Sequence, residues 1–417
     1  MRSYLTAYFF SMVLLPVGDA LAQDQHPADH EPLQVSPNLD FAQLFAAALD
    51  NSPEARATVV RQATAEHFIA AGEAWIVDRP SWEASYIDDG LLDEAGLREM
   101  ETGIQVNLWR PGERRSALDL GRSYGIRADT WSAHVNLLVA GRLRTALADL
   151  AEAEFLLQFE QQATQEAERL LQITRDLATA GAVAELDVMQ AQSLLLEQRQ
   201  ILMRAEAALV DAERAYNVLT NLTVKPGAPH IETLSPLEEL PLNHPYLAYM
   251  QSVIDVADGS IATEQRVAAG SPTVRFGVRR ERGASLQPYI DSLGVSVSVP
   301  FGGKSATTAR VSHAREVKVD REVEYAAAYR ELTARRHEME HELSVTESGL
   351  LLLEEQAQLG SRQWDMARTA FSAGEVTFLQ VQLALQQANS ANRNLELQRL
   401  YRQRLINEYN QTVGVLP

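Results

Sequence analysis

The stretch Ala180–Asn221, AGAVAELDVMQAQSLLLEQRQILMRAEAALVDAERAYNVLTN, recurs as Ala373–Gly414, AGEVTFLQVQLALQQANSANRNLELQRLYRQRLINEYNQTVG. At an offset of 193 (374 − 181), Gly181 falls on Gly374, Leu186 on Leu379, Val188 on Val381, Ala191 on Ala384, Tyr216 on Tyr409 and Asn217 on Asn410. The match continues upstream. Asn51-Ser52-Pro53 falls on Asn243-His244-Pro245 at 192 (243 − 51), and residues 103–108 fall on 294–299 at 191 (294 − 103). Three blocks at nearly one offset mark two tandem copies of one supersecondary unit. The copies are read as residues 39–223 and 246–417, joined by a proline-rich linker at 224–245.

Composition narrows the functions available. The net charge of −19 argues against nucleic acid and against an anionic lipid surface as partner. The chain has no cysteine, which rules out disulfides, thiolate metal sites and a lipidated amino-terminal Cys. Residues 1–22 read as an export signal: Arg2, an apolar run from Tyr4 to Val17, and Ala20-Leu21-Ala22 as a small-residue cleavage site. Residues 23–38 read as an extended leader, and its His26 and His30 as solvated side chains rather than a metal site. No later stretch is apolar enough to span a bilayer as a helix, so entry into a membrane would have to use strands.

Each copy then follows the same order. Asp40 and Gln43 are spaced as a capping box, and Pro53 suits the first turn of a second helix running to about Trp75. Alternation of apolar and polar residues predicts strands at about 80–88 and 101–109, and at about 272–280 and 289–299 in the second copy. Each is about as long as a tilted strand crossing an outer membrane, with Trp109 and Phe301 where an aromatic girdle would lie.

After each strand pair comes a turn, Arg110-Pro111-Gly112 or Pro300-Phe301-Gly302-Gly303, and then a proline-free helix, about 113–177 or 304–371. Each helix would run on the order of 100 Å at the standard rise. Gly181 and Gly374 end these rods. Returning helices follow at about 186–221 and 379–414. The first has a seam of Val188, Ala191, Leu195, Leu202, Ala205, Leu209, Ala212, Tyr216 and Leu219; the second breaks the pattern at Gln398 and Arg402.

Four amphipathic strands in a bilayer would leave two edges of unpaired N–H and C=O groups, each costing several kcal/mol. Closure therefore needs strands from further chains, and two, three or four copies would all close an even-stranded barrel. The polar face would line an aqueous lumen.

This order of elements, repeated after an export signal, resembles the TolC family of outer membrane efflux factors. The resemblance rests on Ala48–Pro53, Ala180-Gly181 through Gln192, Val297–Gly302, and Ala373-Gly374-Glu375 through Val381, and it covers nearly the whole chain past residue 38. It implies a mostly α fold with a transmembrane β-barrel: a homotrimer with a twelve-stranded barrel in the outer membrane of a Gram-negative bacterium and a long α-helical periplasmic barrel. The implied function is the passive exit duct of a tripartite efflux system, fed by an inner-membrane pump through a periplasmic adaptor, with no cofactor and no enzymatic activity.

By position, the resemblance places the adaptor-contact tips at Ala180, Gly181 and Ala182 and at Ala373, Gly374 and Glu375. It places a periplasmic gate at Asp187 and Gln380. Family members often carry Asp at both gate positions, so Gln380 departs from the pattern; capping of the returning helix is the other role open to Asp187. The short strands and the missing lipid-accepting Cys are similar to the CzcC-like branch, which implies heavy-metal cations as cargo.

Two other readings compete. One is a periplasmic coiled-coil structural protein. The other is a zinc peptidase, since His337-Glu338-Met339-Glu340-His341 fits H-E-x-x-H on a helix. No carboxylate stands at the third-ligand position around Leu359–Gln363, and no nucleophile triad, P-loop or dinucleotide fingerprint appears.

Overall fold

The computed structural model describes residues 31–91, 95–267, 270–301 and 304–416. The export segment, His26 and His30 lie outside the described residues, as do 92–94 of the first strand loop and the Gly302-Gly303 turn. In chain order the elements are β1 (Gln34–Ser36), α1 (Phe41–Asn51), α2 (Pro53–Glu73), β2 (Ser81–Asp88), β3 (Arg98–Asn107), α3 (Glu113–Thr179) and α4 (Glu185–Thr220). There follow β4 (Val224–Pro226), α5 (Pro245–Val267), β5 (Thr273–Arg282), β6 (Ile290–Ser298), α6 (Lys304–Ser372) and α7 (Phe378–Thr412).

Local chemistry sets the helix ends. Asp40 and Gln43 form a reciprocal capping box at α1: the Gln43 N–H donates to Asp40 Oδ1 at 2.8 Å, and the Asp40 N–H to Gln43 Oε1 at 3.2 Å. Ser52 caps α2, whose first residue is Pro53. That helix stops at Glu73, where Ala74 turns to extended backbone, and Trp75 beyond it is 92 % exposed. The rods α3 and α6 are 67 and 69 residues long, so each extends about 100 Å.

The returning helices bury their seams. Ala191, Leu195, Ala205 and Tyr216 of α4 are buried, as are Val381, Ala384, Ala388, Ala391, Leu395, Leu405 and Tyr409 of α7. The two polar breaks in the α7 seam meet polar partners on α6. Gln398 reaches the hydroxyl of buried Thr346 at 3.4 Å, and Arg402 pairs with Glu347 at 2.7 Å.

The copies are not separate domains. Leu170, Leu195, Phe371, Phe378 and Val381 share one apolar cluster at the glycine-turn end, drawing on α3, α4, α6 and α7. At the other end the strands form one antiparallel sheet in the order β2-β3-β5-β6, so the central β3–β5 pairing joins copy to copy. The third strand Arg98–Asn107 starts earlier than its alternation suggests, because β5 continues opposite it and pairs Arg98 with Arg282.

Leader and linker, expected as connecting segments, pair with each other instead. Gln34, Val35 and Ser36 lie parallel to Val224, Lys225 and Pro226. Two side chains explain why. Leu33 is buried in the cluster with Leu44, Leu143 and Tyr216, and Lys225 Nζ lies 2.8 Å from buried Glu213 and 2.6 Å from Glu154.

Candidate functional site

The sheet register sorts its residues by polarity. Trp82, Ile104, Phe276 and Val295 stand in one row across the four strands, each more than half exposed. Ala84, Thr102, Val278 and Leu293 form the next row on that face, and Val106, Val274 and Val297 another. The opposite face carries Ser81, Gln105, Arg275 and Ser296, then Ser85, Glu101, Arg279 and Ser292. Arg275 lies 3.4 Å from Glu83 and 3.1 Å from Glu101, and Arg279 2.8 Å from Glu99 and 2.6 Å from Glu281.

Between those polar rows runs Glu83, Gly103, Gly277 and Gly294. A Cβ on Gly103 would come 2.7 Å from the Phe276 carbonyl oxygen, so the strands approach there only without side chains. Among the described residues, the outer edges of β2 and β6 pair with no further strand. The two expected girdle aromatics differ: the Trp109 indole N–H donates to the Ala74 carbonyl at 2.9 Å, while Phe301 is 98 % exposed.

At the far end of the rods the two turns are built alike. Gly181 has φ 74° and Gly374 φ 77°, the left-handed region that glycine enters without steric cost. The Ala182 N–H donates to Leu177 O and the Gly181 N–H to Ala178 O, both at 2.9 Å; Glu375 and Gly374 repeat this with Ala370 and Phe371 at the same distances. Ala180, Gly181, Ala182, Ala373, Gly374 and Glu375 are all exposed.

Asp187 and Gln380 occupy matching places after these turns. Asp187 Oδ2 accepts the Ala184 N–H at 3.0 Å, and Gln380 Oε1 accepts the Thr377 N–H at 2.9 Å. Both therefore cap the returning helices. Asp187 is half-buried and Gln380 exposed within one chain.

Midway along the rods, the end of each returning helix meets a junction earlier in its copy, α1–α2 in the first and the start of α5 in the second. In the first copy Asn51 Nδ2 donates to Val218 O at 2.9 Å and to Leu219 O at 3.2 Å. In the second, the ring of His244 takes that place, with Nε2 3.2 Å from Thr412 O. The duplicated tyrosines tie the linker down: Tyr216 Oη donates to Val224 O at 3.0 Å, and Tyr409 Oη to Leu237 O at 2.5 Å.

The linker is pinned further by a buried ion pair. Arg144, 3 % exposed, places Nε 2.6 Å from Glu232 Oε1 and Nη1 2.7 Å from Gln411 Oε1. Asn410 Nδ2 donates to Glu232 Oε2 at 2.8 Å, and His230 Nε2 lies 3.1 Å from Oε1. Burial pushes the Glu232 carboxyl up, but the bonds from His230, Arg144 and Asn410 outweigh it and hold it down at about 2.

No protein-family model matches the sequence, and no curated protein does. The outer-membrane channel OprN matches with a TM-score of 0.74 at 18 % identity, covering 89 % of this chain and 89 % of its own. The outer membrane protein VceC of Vibrio cholerae matches with 0.73 at 15 %, covering 89 % and 95 %. The open state of the Neisseria gonorrhoeae outer membrane channel MtrE matches with 0.70 at 14 %, covering 89 % and 88 %. The chain has the TolC-type channel fold.

The H-E-x-x-H pentapeptide falls on the flank of the long rod α6. His337 and His341 are exposed on α6, and His337 Nδ1 faces Glu340 at 3.8 Å rather than a cleft. Among the described residues no group of three or more His, Asp or Glu side chains is placed to hold a metal, and no helix is long and apolar enough to cross a membrane.

The sequence reading misses the mid-rod residues. Arg144 and Glu232 are two charges among many, 88 positions apart, and nothing local marks them as partners. His244 did carry a signal, since it stands where the first copy has Ser52.

Proposed function

We propose that this protein is the passive exit duct of an efflux system in the outer membrane of a Gram-negative bacterium. Three copies would close a twelve-stranded barrel whose polar face lines the lumen, with the rods forming its periplasmic extension. The observation that carries the reading is the sheet: one face is exposed and apolar, the other polar and ion-paired, and both edges are open. In a bilayer such edges require partners.

The rods support a second copy as that partner. Met189, Leu196 and Met203 form an exposed seam on α4 at steps of seven, and Leu352, Leu359 and Met366 another on α6. Measured from Gly181 and Gly374, Met189 stands level with Met366, Leu196 with Leu359, and Met203 with Leu352. Antiparallel contact between α4 of one subunit and α6 of the next would bury all six side chains.

Because the chain has no native cysteine, Met203→Cys with Leu352→Cys tests this directly. Oxidation should give covalent trimers from detergent-solubilised membranes, and those trimers should conduct ions in a planar bilayer. Monomers that stay soluble without detergent would defeat the reading and leave a periplasmic coiled-coil protein.

Asp187 and Gln380 are proposed as the gate and the six turn residues as the adaptor contact. Three Asp187 carboxylates around a constriction would favour cations, and metal cations are the first cargo to test. Asp187→Asn should lower cation preference in the reversal potential. Gly374→Pro cannot adopt the positive φ of the turn and should abolish export while trimers persist. Unchanged metal tolerance would remove that cargo or those tips.

A further inference from the structure

The two copies differ at the residue that caps the helix above each mid-rod joint. In the first copy it is Ser52, whose Oγ accepts the Ala55 N–H at 3.4 Å and donates to Glu54 at 2.8 Å. A hydrogen bond from Arg142 holds the Glu54 carboxyl at about 2, so nothing at that cap changes charge in mild acid. In the second copy the cap is His244, 1 % exposed.

The Leu247 N–H donates to His244 Nδ1 at 3.4 Å, so that nitrogen carries a lone pair. Nε2 therefore bears the proton and donates to Thr412 O at the end of α7. One neutral tautomer thus ties α7 to α5. A second proton could go only on Nδ1, where it would face the Leu247 N–H, donor against donor. The ring is buried, and only glycine fits at 414 beside it, since a Cβ there would come 2.7 Å from its Cδ2.

We propose that His244 is an acid-sensitive joint: protonation of its imidazole at Nδ1 removes the cap from α5, in the second copy alone. The inference concerns one chain and does not depend on the duct reading.

The surroundings set its direction. From α3, His134 faces the site, with its Nδ1 buried and unpartnered and its ring stacked on Tyr249 at 5.5 Å and tilted against Tyr246 at 4.9 Å. From α6, Glu324 and Glu331 act on Tyr246. From α7 come the Thr412 carbonyl and Gly414, which carry no charge. Burial holds both imidazoles below their ordinary value, and charge on His244 opposes charge on His134. The unfolded chain binds these protons more readily, so stability is full above about pH 6.5 and falls as the pH drops below it.

Amide hydrogen exchange on the full-length protein in detergent, at about pH 7.5 and 5.5 and corrected for intrinsic rates, tests the joint. Protection at Leu247 and Ala248 should fall about five-fold in acid, the scale of a lost cap, while the first turn of α2 stays unchanged. His244→Asn keeps an oxygen for the cap without titrating, and should abolish the acid response; His134→Phe should retain it. Unchanged protection in the wild type overturns the proposal. So does an equal acid response in His244→Asn, or a response lost only in His134→Phe. Should His244→Asn not fold, exchange at the His244 ring C2–H gives its midpoint in the wild type. A midpoint matching the loss at Leu247 supports the joint, and a mismatch overturns it.

Discussion

The two mid-rod joints occupy equivalent places in the duplicated chain, yet they are built from different chemistry. The first relies on the amide of Asn51, the hydroxyl of Ser52 and the half-exposed pair of Glu54 and Arg142 at 2.7 Å. The second relies on buried His244 and on buried Arg144 with Glu232 and the end of α7. Duplication preserved the geometry of the chain path and left each copy to satisfy its helix ends separately. The ion pair of the first joint is part-exposed, at 46 % and 27 %, whereas Arg144 in the second is 3 % exposed and His244 1 %.

The largest expected contrast comes from removing one carboxylate on each side. Glu232→Ala leaves the Arg144 guanidinium buried beside an emptied site and should cost about 3–5 kcal/mol in detergent unfolding experiments. Glu54→Ala exposes Arg142 to water and should cost about 1 kcal/mol or less. Equal losses would mean that the two joints are not energetically distinct.

Acid should reach both carboxylates over the same range, since each is held at about 2. Because Glu232 is held at about 2 against an ordinary 4.5, its contribution is complete above about pH 4.5 and is lost as the pH falls from there through 2. Thermal melts of the wild type and Glu232→Gln between about pH 6 and 2 should converge at the acid end. The imidazole response proposed for His244 sets in below about pH 6.5, before the Glu232 loss begins at about 4.5.

Smaller effects follow at the turns. Gly181→Ala and Gly374→Ala meet open space, so each should lose only the left-handed backbone penalty, about 1 kcal/mol, and the two losses should match. The smallest effect is expected at Asn221, which has φ 55° where the second copy has Gly414 at φ 80°. Asn221→Gly should stabilise the first joint by at most about 1 kcal/mol in the same unfolding assay.

Local signals made much of the architecture legible. Asp40 with Gln43, Pro53, Gly181 and Gly374 act within one turn of backbone, and the alternation in Trp82–Tyr86 or Leu293–Val299 acts within one strand. The exposed turns at Gly181 and Gly374 could be placed for the same reason. Other features depend on partners far away in the chain: the Arg98–Arg282 pairing that lengthens β3, the strand made by leader and linker, and the salt bridge across 88 positions. Asp187 and Gln380 are intermediate. Their capping bonds are local, whereas a gate would exist only where several chains converge.

By itself the sequence determined that the chain is a duplicated set of long helical hairpins and short two-faced strands, because periodicity, prolines and turn glycines are read off neighbouring residues. Only the tertiary structure decided that β3 pairs with β5, that the polar rows line up across four strands, and that the His244 ring is buried between α5 and the end of α7. Those outcomes turn on register and burial, which arise when segments distant in sequence compete for the same partners.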